Sequence, residues 1–289
     1  MKVSMPLPNR DFDPTEVAVT WKILREAGHH VTFATPDGGA AFADELMLSG
    51  RGLDPWGFLP GLKAFRLMGG ILAANKNALA AYAELTRDPR FLEPIPYEAL
   101  SVTDYDALAL PGGHRAGGMT AYLESEPLAS FVADFFDAKK PVGAICHGVV
   151  VAARARSKVT GKSALFGHRT TSLTWQQEGL AAKIGRVARF WDPYYYRTYR
   201  DLPGEPAGYR SVQSEVTRAL ARPEDYLDVP RDSPDYGLKT DGRHRDTASD
   251  DRPAFVVRSG NYVSARWPGD VHTFGRTLLG VMAESSGRL

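Results

Sequence analysis

The residues able to do chemistry gather around Cys146, the one cysteine among 289 residues. It sits in Pro141-Val142-Gly143-Ala144-Ile145-Cys146-His147-Gly148, ahead of Val149-Val150-Val151-Ala152-Ala153-Arg154-Ala155. Pro141 to Ile145 is short, apolar and Gly-flanked, and reads as a buried strand; the Ala- and Val-rich stretch after Gly148 reads as the first turns of a helix. A strand-to-helix turn exposes its residue at the carboxyl edge of a sheet and aims the first free helix N–H groups at it. Those groups and the helix dipole favour an anion, so the turn predicts a thiolate with a lowered pKa. They can also hold an oxyanion on a substrate that Cys146 attacks. A lone cysteine is otherwise a small buried apolar residue. Here the strand-turn-helix setting and the His147-Gly148 sequel select a nucleophile.

The elements that must position it follow from patterning. Lys2 to Leu7 reads as a first strand, and Asp13-Pro14-Thr15-Glu16 opens a helix with an N-cap Asp, a Pro in the first turn and Glu three after the cap. Val17, Trp21 and Leu24 share a face, Gly28 closes the helix, and His30 to Thr35 is a second strand. Together they form one strand-helix-strand unit of a parallel sheet. Ala107 to Leu110 resumes the sheet before Pro111-Gly112-Gly113-His114, and Leu128, Phe131, Val132, Phe135 and Phe136 form a helical stripe leading into the Cys146 strand. Ser163 to Phe166 reads as a further strand and Thr174 to Ile184 as a short helix. Phe255 to Ala265 reads as a hairpin, and a final helix is expected to be capped by Asp270. Two stretches break the rhythm. About 40–104 reads as an insertion over one sheet edge, with Leu67 to Leu85 helical. About 186–252 holds the aromatic run Phe190 to Tyr199 and then Arg222 to Arg252, expected to be a long exposed loop. The chain reads as a single domain, 1–289, with these two insertions.

Three separated signatures resemble the ThiJ/PfpI superfamily, within the class I glutamine amidotransferase-like fold. They are Asp13 to Gly28 with Val31 to Gly38, Leu110-Pro111-Gly112-Gly113-His114, and Ala144-Ile145-Cys146-His147-Gly148; Gly260-Asn261-Tyr262-Val263-Ser264 to Pro268 is similar more loosely. The resemblance implies an α/β fold, a flavodoxin-like, mostly parallel sheet sandwiched by helices. It also implies frequent dimers, hence an expected homodimer, and no organic cofactor. Activities in the superfamily include glyoxalase without glutathione, deglycation, isocyanide hydration, weak peptidase or amidase activity, and chaperone behaviour. The family's usual Pro four residues after the helix Glu is Thr20 here, and its Gly-Pro after the elbow histidine is Gly148-Val149. Members with a Cys-His pair often orient the histidine with a downstream Asp or Glu. Near that position this chain has Thr174-Trp175-Gln176-Gln177-Glu178, without an Asp.

Each candidate carries two readings. Glu16 is either the third member of a capping box or, as the resemblance implies, the group that reaches Cys146. Beside a thiolate in an apolar pocket its carboxyl would stay protonated, donate to sulfur and shuttle protons. His147 contributes either its backbone N–H alone or a catalytic imidazole. Gly112 and Gly113 are turn glycines or oxyanion-hole donors together with the His147 N–H. His114, Arg115, Glu178, Tyr194, Tyr195 and Tyr196 are candidates for the substrate pocket. The aromatic run is expected to cover Cys146 as a lid, its alternative being a partner-subunit contact. Asp11 and Asp13 read as caps. No histidine shows ligand spacing, so no metal is assigned.

Composition narrows the partners. Lys and Arg number 35 against 34 Asp and Glu, a net charge of +1, which gives no electrostatic case for nucleic acid or membrane. No stretch approaches the roughly 20 apolar residues of a membrane span. The N-terminus lacks a signal-peptide pattern, and a reactive thiol lasts best in a reducing compartment, so a cytoplasmic location is expected. The chain therefore reads as a cofactor-independent cysteine enzyme of hydrolase or hydratase type acting on a small electrophile, with a glyoxalase-like reaction as its most concrete form. The alternatives are an amidase or intracellular peptidase, and a stress-response chaperone or redox sensor with vestigial catalysis.

Overall fold

The computed structural model describes residues 1–67 and 69–287. Lys2–Pro6 (β1) is buried from Val3 onward, as a central strand between two helical layers must be. After it come a short strand, Arg10–Phe12 (β2), the helix Pro14–Glu26, and His30–Thr35 (β3). β1 and β3 run parallel, with Lys2 opposite His30 and Pro6 opposite Ala34, so the expected strand-helix-strand unit is present. Phe42–Ala43 (β4) pairs with β2 in a separate small sheet. Ile95–Pro96 (β5), Ala107–Leu110 (β6), Val142–Ile145 (β7), Val256–Ser259 (β8) and Tyr262–Ala265 (β9) complete the main sheet. Its order is β5-β3-β1-β6-β7-β9-β8, and all neighbours are parallel except β8 with β9. This is the flavodoxin-like α/β arrangement.

Side chains alternate along the strands between two cores. Val3, Met5, Ala107, Ala109 and Ile145 pack with Val17, Trp21 and Leu24 of Pro14–Glu26 and with Phe274, Leu278 and Met282 of the last helix, Val271–Ser285. Leu108, Leu110, Val142 and Ala144 face the opposite way, toward Leu128, Val132 and Phe135 of Glu126–Asp137 and toward the helix Gly148–Arg154. Each fully buried Leu or Phe contributes roughly 1.5–3 kcal/mol, so this double layer fixes the relative height of the strand ends. The carboxyl ends of β1, β6 and β7 therefore lie side by side.

Several local expectations are corrected. Leu67 to Leu85 is not one helix: Gly69–Leu72 and Lys76–Leu85 are separate, because the Asn75 side chain accepts the Ala78 N–H and starts a new helix. Met68, within that stretch, lies outside the described residues. Ser163 to Phe166 forms a single bridge, Arg156 with Ser163, and then turns. Asp270 does not cap the last helix. Its carboxylate is taken by Arg266, at 2.8 and 2.9 Å, in a buried ion pair. The cap comes from the second insertion, where Asp246 accepts the N–H groups of His272 and Thr273 at 3.1 and 2.6 Å. Arg222 to Arg252 is thus not wholly an exposed loop, since Asp225 and Asp246 are buried.

The two insertions meet over the carboxyl edge. Tyr195 donates its hydroxyl to Asp44 Oδ2 at 2.8 Å, and Arg189 donates to the Gly52 carbonyl. The Phe58 ring packs on Phe190 and Trp191, with centroids 5.2 and 5.1 Å apart. Among the described residues no helix is long and apolar enough to cross a membrane.

Candidate functional site

Cys146 leaves β7 and precedes Gly148–Arg154 in a left-handed conformation, φ +57°, which a non-glycine residue adopts only when its surroundings impose it. Those surroundings are close. A Cβ on Gly148 would stand 2.0 Å from the Leu110 carbonyl oxygen, so only glycine lets the loop after β6 cross the start of the elbow helix. The crossing brings Pro111-Gly112-Gly113 against Cys146 and His147. Cys146 is 6% exposed.

Glu16 reaches the same point from the first turn of Pro14–Glu26, which Asp13 caps by accepting the N–H groups of Thr15 and Glu16. Glu16 is fully buried, and its Oε2 accepts the Gly112 N–H at 2.7 Å. The Gly112 carbonyl in turn accepts the Asp13 N–H at 2.8 Å. The Glu16 carboxyl also meets the Cys146 thiol. Burial, reinforced by the Asp13 charge, pushes the Glu16 carboxyl well above its usual range and favours its protonated form. The capping role belongs to Asp13, and the Glu16 side chain faces the thiol instead. One expectation fails here. The Gly112 N–H is already spent on Glu16 and cannot also hold a substrate oxygen, whereas the Gly113 N–H has no acceptor among the described residues.

His147 brings its imidazole as well as its N–H. Its Nδ1 lies 3.4 Å from Cys146 Sγ, and its Nε2 lies 3.0 Å from Thr198 Oγ1. Thr198 donates its one hydroxyl proton to the His114 carbonyl at 2.7 Å, so it can only accept from His147. Nε2 therefore carries the imidazole proton and Nδ1 presents a bare lone pair to sulfur. Burial, with the neighbouring His114, Arg154 and Arg197, lowers the His147 pKa to about 3, and the ring is neutral. Burial also pushes the Cys146 thiol up, with the Glu16 and Asp13 carboxyl groups adding to it and the His147 N–H opposing. The depressed thiol pKa expected from the turn is therefore not a property of the closed site. In a dry site with acidic neighbours, desolvation outweighs a short helix N-terminus.

The other candidates lie in different places. His114 is half-buried, stacked on Tyr196 with centroids 5.2 Å apart and edge-on to Tyr195 at 4.7 Å, and its Nε2 has no partner among the described residues. Arg115 pairs with Asp11 at 3.6 Å. Tyr195 is buried at the contact between the insertions, while Tyr194 is exposed under Arg200. Glu178 does not touch His147. It is buried 3.1 Å from Arg197 and accepts the Val212 N–H at 3.0 Å, and burial raises its pKa to about 7. Thr198, the partner of His147 Nε2, lies in the aromatic run and carries no local signal of this contact. A cleft of about 360 Å³ lined by Lys2, His30, Arg90 and Tyr105 lies at the opposite, amino edge of the sheet and shares nothing with this chemistry.

A parallel α/β sheet with a cysteine elbow, a facing buried carboxyl and a histidine at the carboxyl edge defines a cysteine-elbow protein of the flavodoxin-like class. A family model described as ThiJ/PfpI family-like matches residues 7–200, and the chain belongs to the ThiJ/PfpI family. An uncharacterized protein of Schizosaccharomyces pombe is 25% identical over 171 residues, 56% of this chain and 58% of that protein, so the chain spans well under two thirds of that relative's length. Among solved structures, glyoxalase III from Candida albicans superposes with a TM-score of 0.57 at 15% identity, covering 97% of each chain. The Rapid Encystment Protein of 24 kDa from Francisella tularensis gives a TM-score of 0.57 at 12% identity, covering 97% of this chain and 98% of its own. At these identities the likeness is one of fold.

Proposed function

We propose that this protein is a cysteine-dependent enzyme that converts a small 2-oxoaldehyde to the corresponding 2-hydroxy acid without an organic cofactor. The observation that carries the reading is the placement of Cys146 between the buried Glu16 carboxyl, which meets the thiol and is pushed toward its protonated form, and a bare imidazole nitrogen, His147 Nδ1. A reducing compartment such as the cytoplasm would keep the thiol intact.

In this scheme Cys146 Sγ bonds to the aldehyde carbon, its proton passes to His147 Nδ1, and the aldehyde oxygen takes the Glu16 proton. The developing oxyanion is held by the N–H groups of Gly113 and His147. Glu16, now a carboxylate, removes the hydrogen from the former aldehyde carbon. The electron pair moves toward the ketone, whose oxygen is protonated by His147. Glu16 returns its proton to the former ketone carbon while His147 takes the proton of the first hydroxyl, leaving a thioester of the 2-hydroxy acid. Water then attacks the thioester carbon and gives a proton to Glu16, and His147 protonates the departing sulfur. One carbon is oxidised and its neighbour reduced, so no outside oxidant is required.

The test is a pair of turnover assays, methylglyoxal to lactate and ammonia release from amides, on wild type and Cys146→Ser. Lactate formation that is lost in the variant supports the reading. Ammonia release without lactate would favour the amidase, and oxidation of Cys146 to a stable sulfinate with no turnover would favour a redox sensor.

A further inference from the structure

Thr198 stands 51 residues from His147 in sequence and comes from the second insertion, yet its Oγ1 is the partner of His147 Nε2. We infer that Thr198 is a positioning residue that fixes the tautomer of His147, keeping Nδ1 free to take the Cys146 proton. This rests on the proposed role of His147 in the reaction, but the tautomer itself can be measured without any substrate.

Three observations support it. The hydroxyl proton is committed to the His114 carbonyl at 2.7 Å, which leaves Oγ1 only accepting capacity toward the ring. A buried imidazole whose two nitrogens face a thiol and a hydroxyl has no other hydrogen-bonding group to set its proton. Turning the ring over would put Cδ2 at the sulfur and Cε1 at Thr198, losing both contacts and removing the base from sulfur. The third is that the backbone carrying Thr198 is held on both sides. Arg197 is bound by Glu178 and Asp201, each at 3.1 Å, and lies over the Trp175 ring. Tyr199 accepts from Arg154 at 3.0 Å and donates to Glu124 at 2.8 Å, and Arg154 ends the elbow helix itself. Residues 197–199 thus form a strap across the elbow, with the one hydroxyl that meets the imidazole at its centre. Glu178, the acidic residue expected near the histidine, acts one step removed by anchoring this strap.

The experiment uses the full chain labelled with ¹⁵N-histidine. The ring signals of His147 are identified by their absence in His147→Gln, and their tautomer is read in wild type, Thr198→Val and Thr198→Ser. Wild type should show a single neutral form protonated at Nε2. Thr198→Val keeps the shape and removes the acceptor, and should give mixed tautomers; Thr198→Ser should restore the wild-type pattern. Alkylation of Cys146 by iodoacetamide at neutral pH should slow in Thr198→Val by about tenfold and recover in Thr198→Ser, following the tautomer. Mixed tautomers with unchanged alkylation would overturn the link to Cys146. A pure Nε2–H form in Thr198→Val would overturn the inference outright. Both readouts hold even if methylglyoxal is not the substrate. If Thr198→Val does not fold, Thr198→Ala gives the same comparison.

Discussion

Glu16 Oε2 accepts the Gly112 N–H at 2.7 Å, joining the first helix to the loop after β6 across 96 residues of sequence. This bond holds one carboxyl oxygen in place while the carboxyl meets the Cys146 thiol. A carboxylate buried there would be costly, and burial with the Asp13 charge pushes the carboxyl toward its protonated form.

Glu16→Gln preserves shape and an acceptor for Gly112 but cannot shuttle a proton. Turnover should fall by about two orders of magnitude or more while the fold survives. Infrared spectroscopy at neutral pH should show a protonated-carboxyl band in wild type that is missing from the variant. Full activity in the variant would return Glu16 to a purely structural role.

Gly112 admits no side chain. A Cβ there would come within 2.7 Å of the His147 backbone nitrogen and 3.1 Å of Glu16 Oε2. Gly112→Ala should push the loop off the elbow and cost about 1–3 kcal/mol, read by chemical unfolding, with turnover falling further than stability. Wild-type stability in the variant would mean that the loop does not sit this close.

His147 should leave a mark on stability against pH. Its folded pKa of about 3 lies below the unfolded value of about 6.5, so between these the unfolded chain binds more protons. Its contribution is fully present above pH 6.5 and is lost as pH falls toward 3, by up to about 1.4 kcal/mol per pH unit. Glu178 and Asp246, raised by burial to about 7 and about 6, act in the opposite sense and lose stability as pH rises. The wild-type curve is therefore a sum, and the comparison with His147→Gln isolates the histidine. The variant should lose less stability on acidification from pH 6.5 to 4, and parallel curves would contradict a buried neutral ring.

Tyr195→Phe removes the hydroxyl that binds Asp44 and leaves the ring packed. It should lower stability by roughly 1.5–3 kcal/mol and speed protease cleavage near residues 186–200, because the second insertion then loses a tie to the first. Unchanged cleavage would mean that the insertions close over the elbow by ring packing alone.

Cys146, Glu16 and the Pro111-Gly112-Gly113 loop could be read from the chain because each sits on a local signal: a strand meeting a helix, a capped first turn, a glycine pair after an apolar strand. Thr198 could not, since its role comes from a contact between an insertion and the elbow, and the surrounding tyrosines and arginines draw more attention than one hydroxyl. Asp246 was hidden for the same reason, capping a helix that begins 25 residues later. Asp270 stands where a cap would, but Arg266 four residues earlier takes its carboxylate. The Cys146 pKa was misjudged because the turn alone says nothing of how dry the finished site becomes.

The bond between Cys146 and substrate is tested most directly by mass spectrometry of the intact protein, quenched in acid during reaction with methylglyoxal. A methylglyoxal-derived adduct that maps to the Cys146 peptide, decays as lactate appears and is absent from Cys146→Ser is the expected result. Lactate formation by Cys146→Ser at the wild-type rate, with no adduct in either protein, would contradict a cysteine nucleophile.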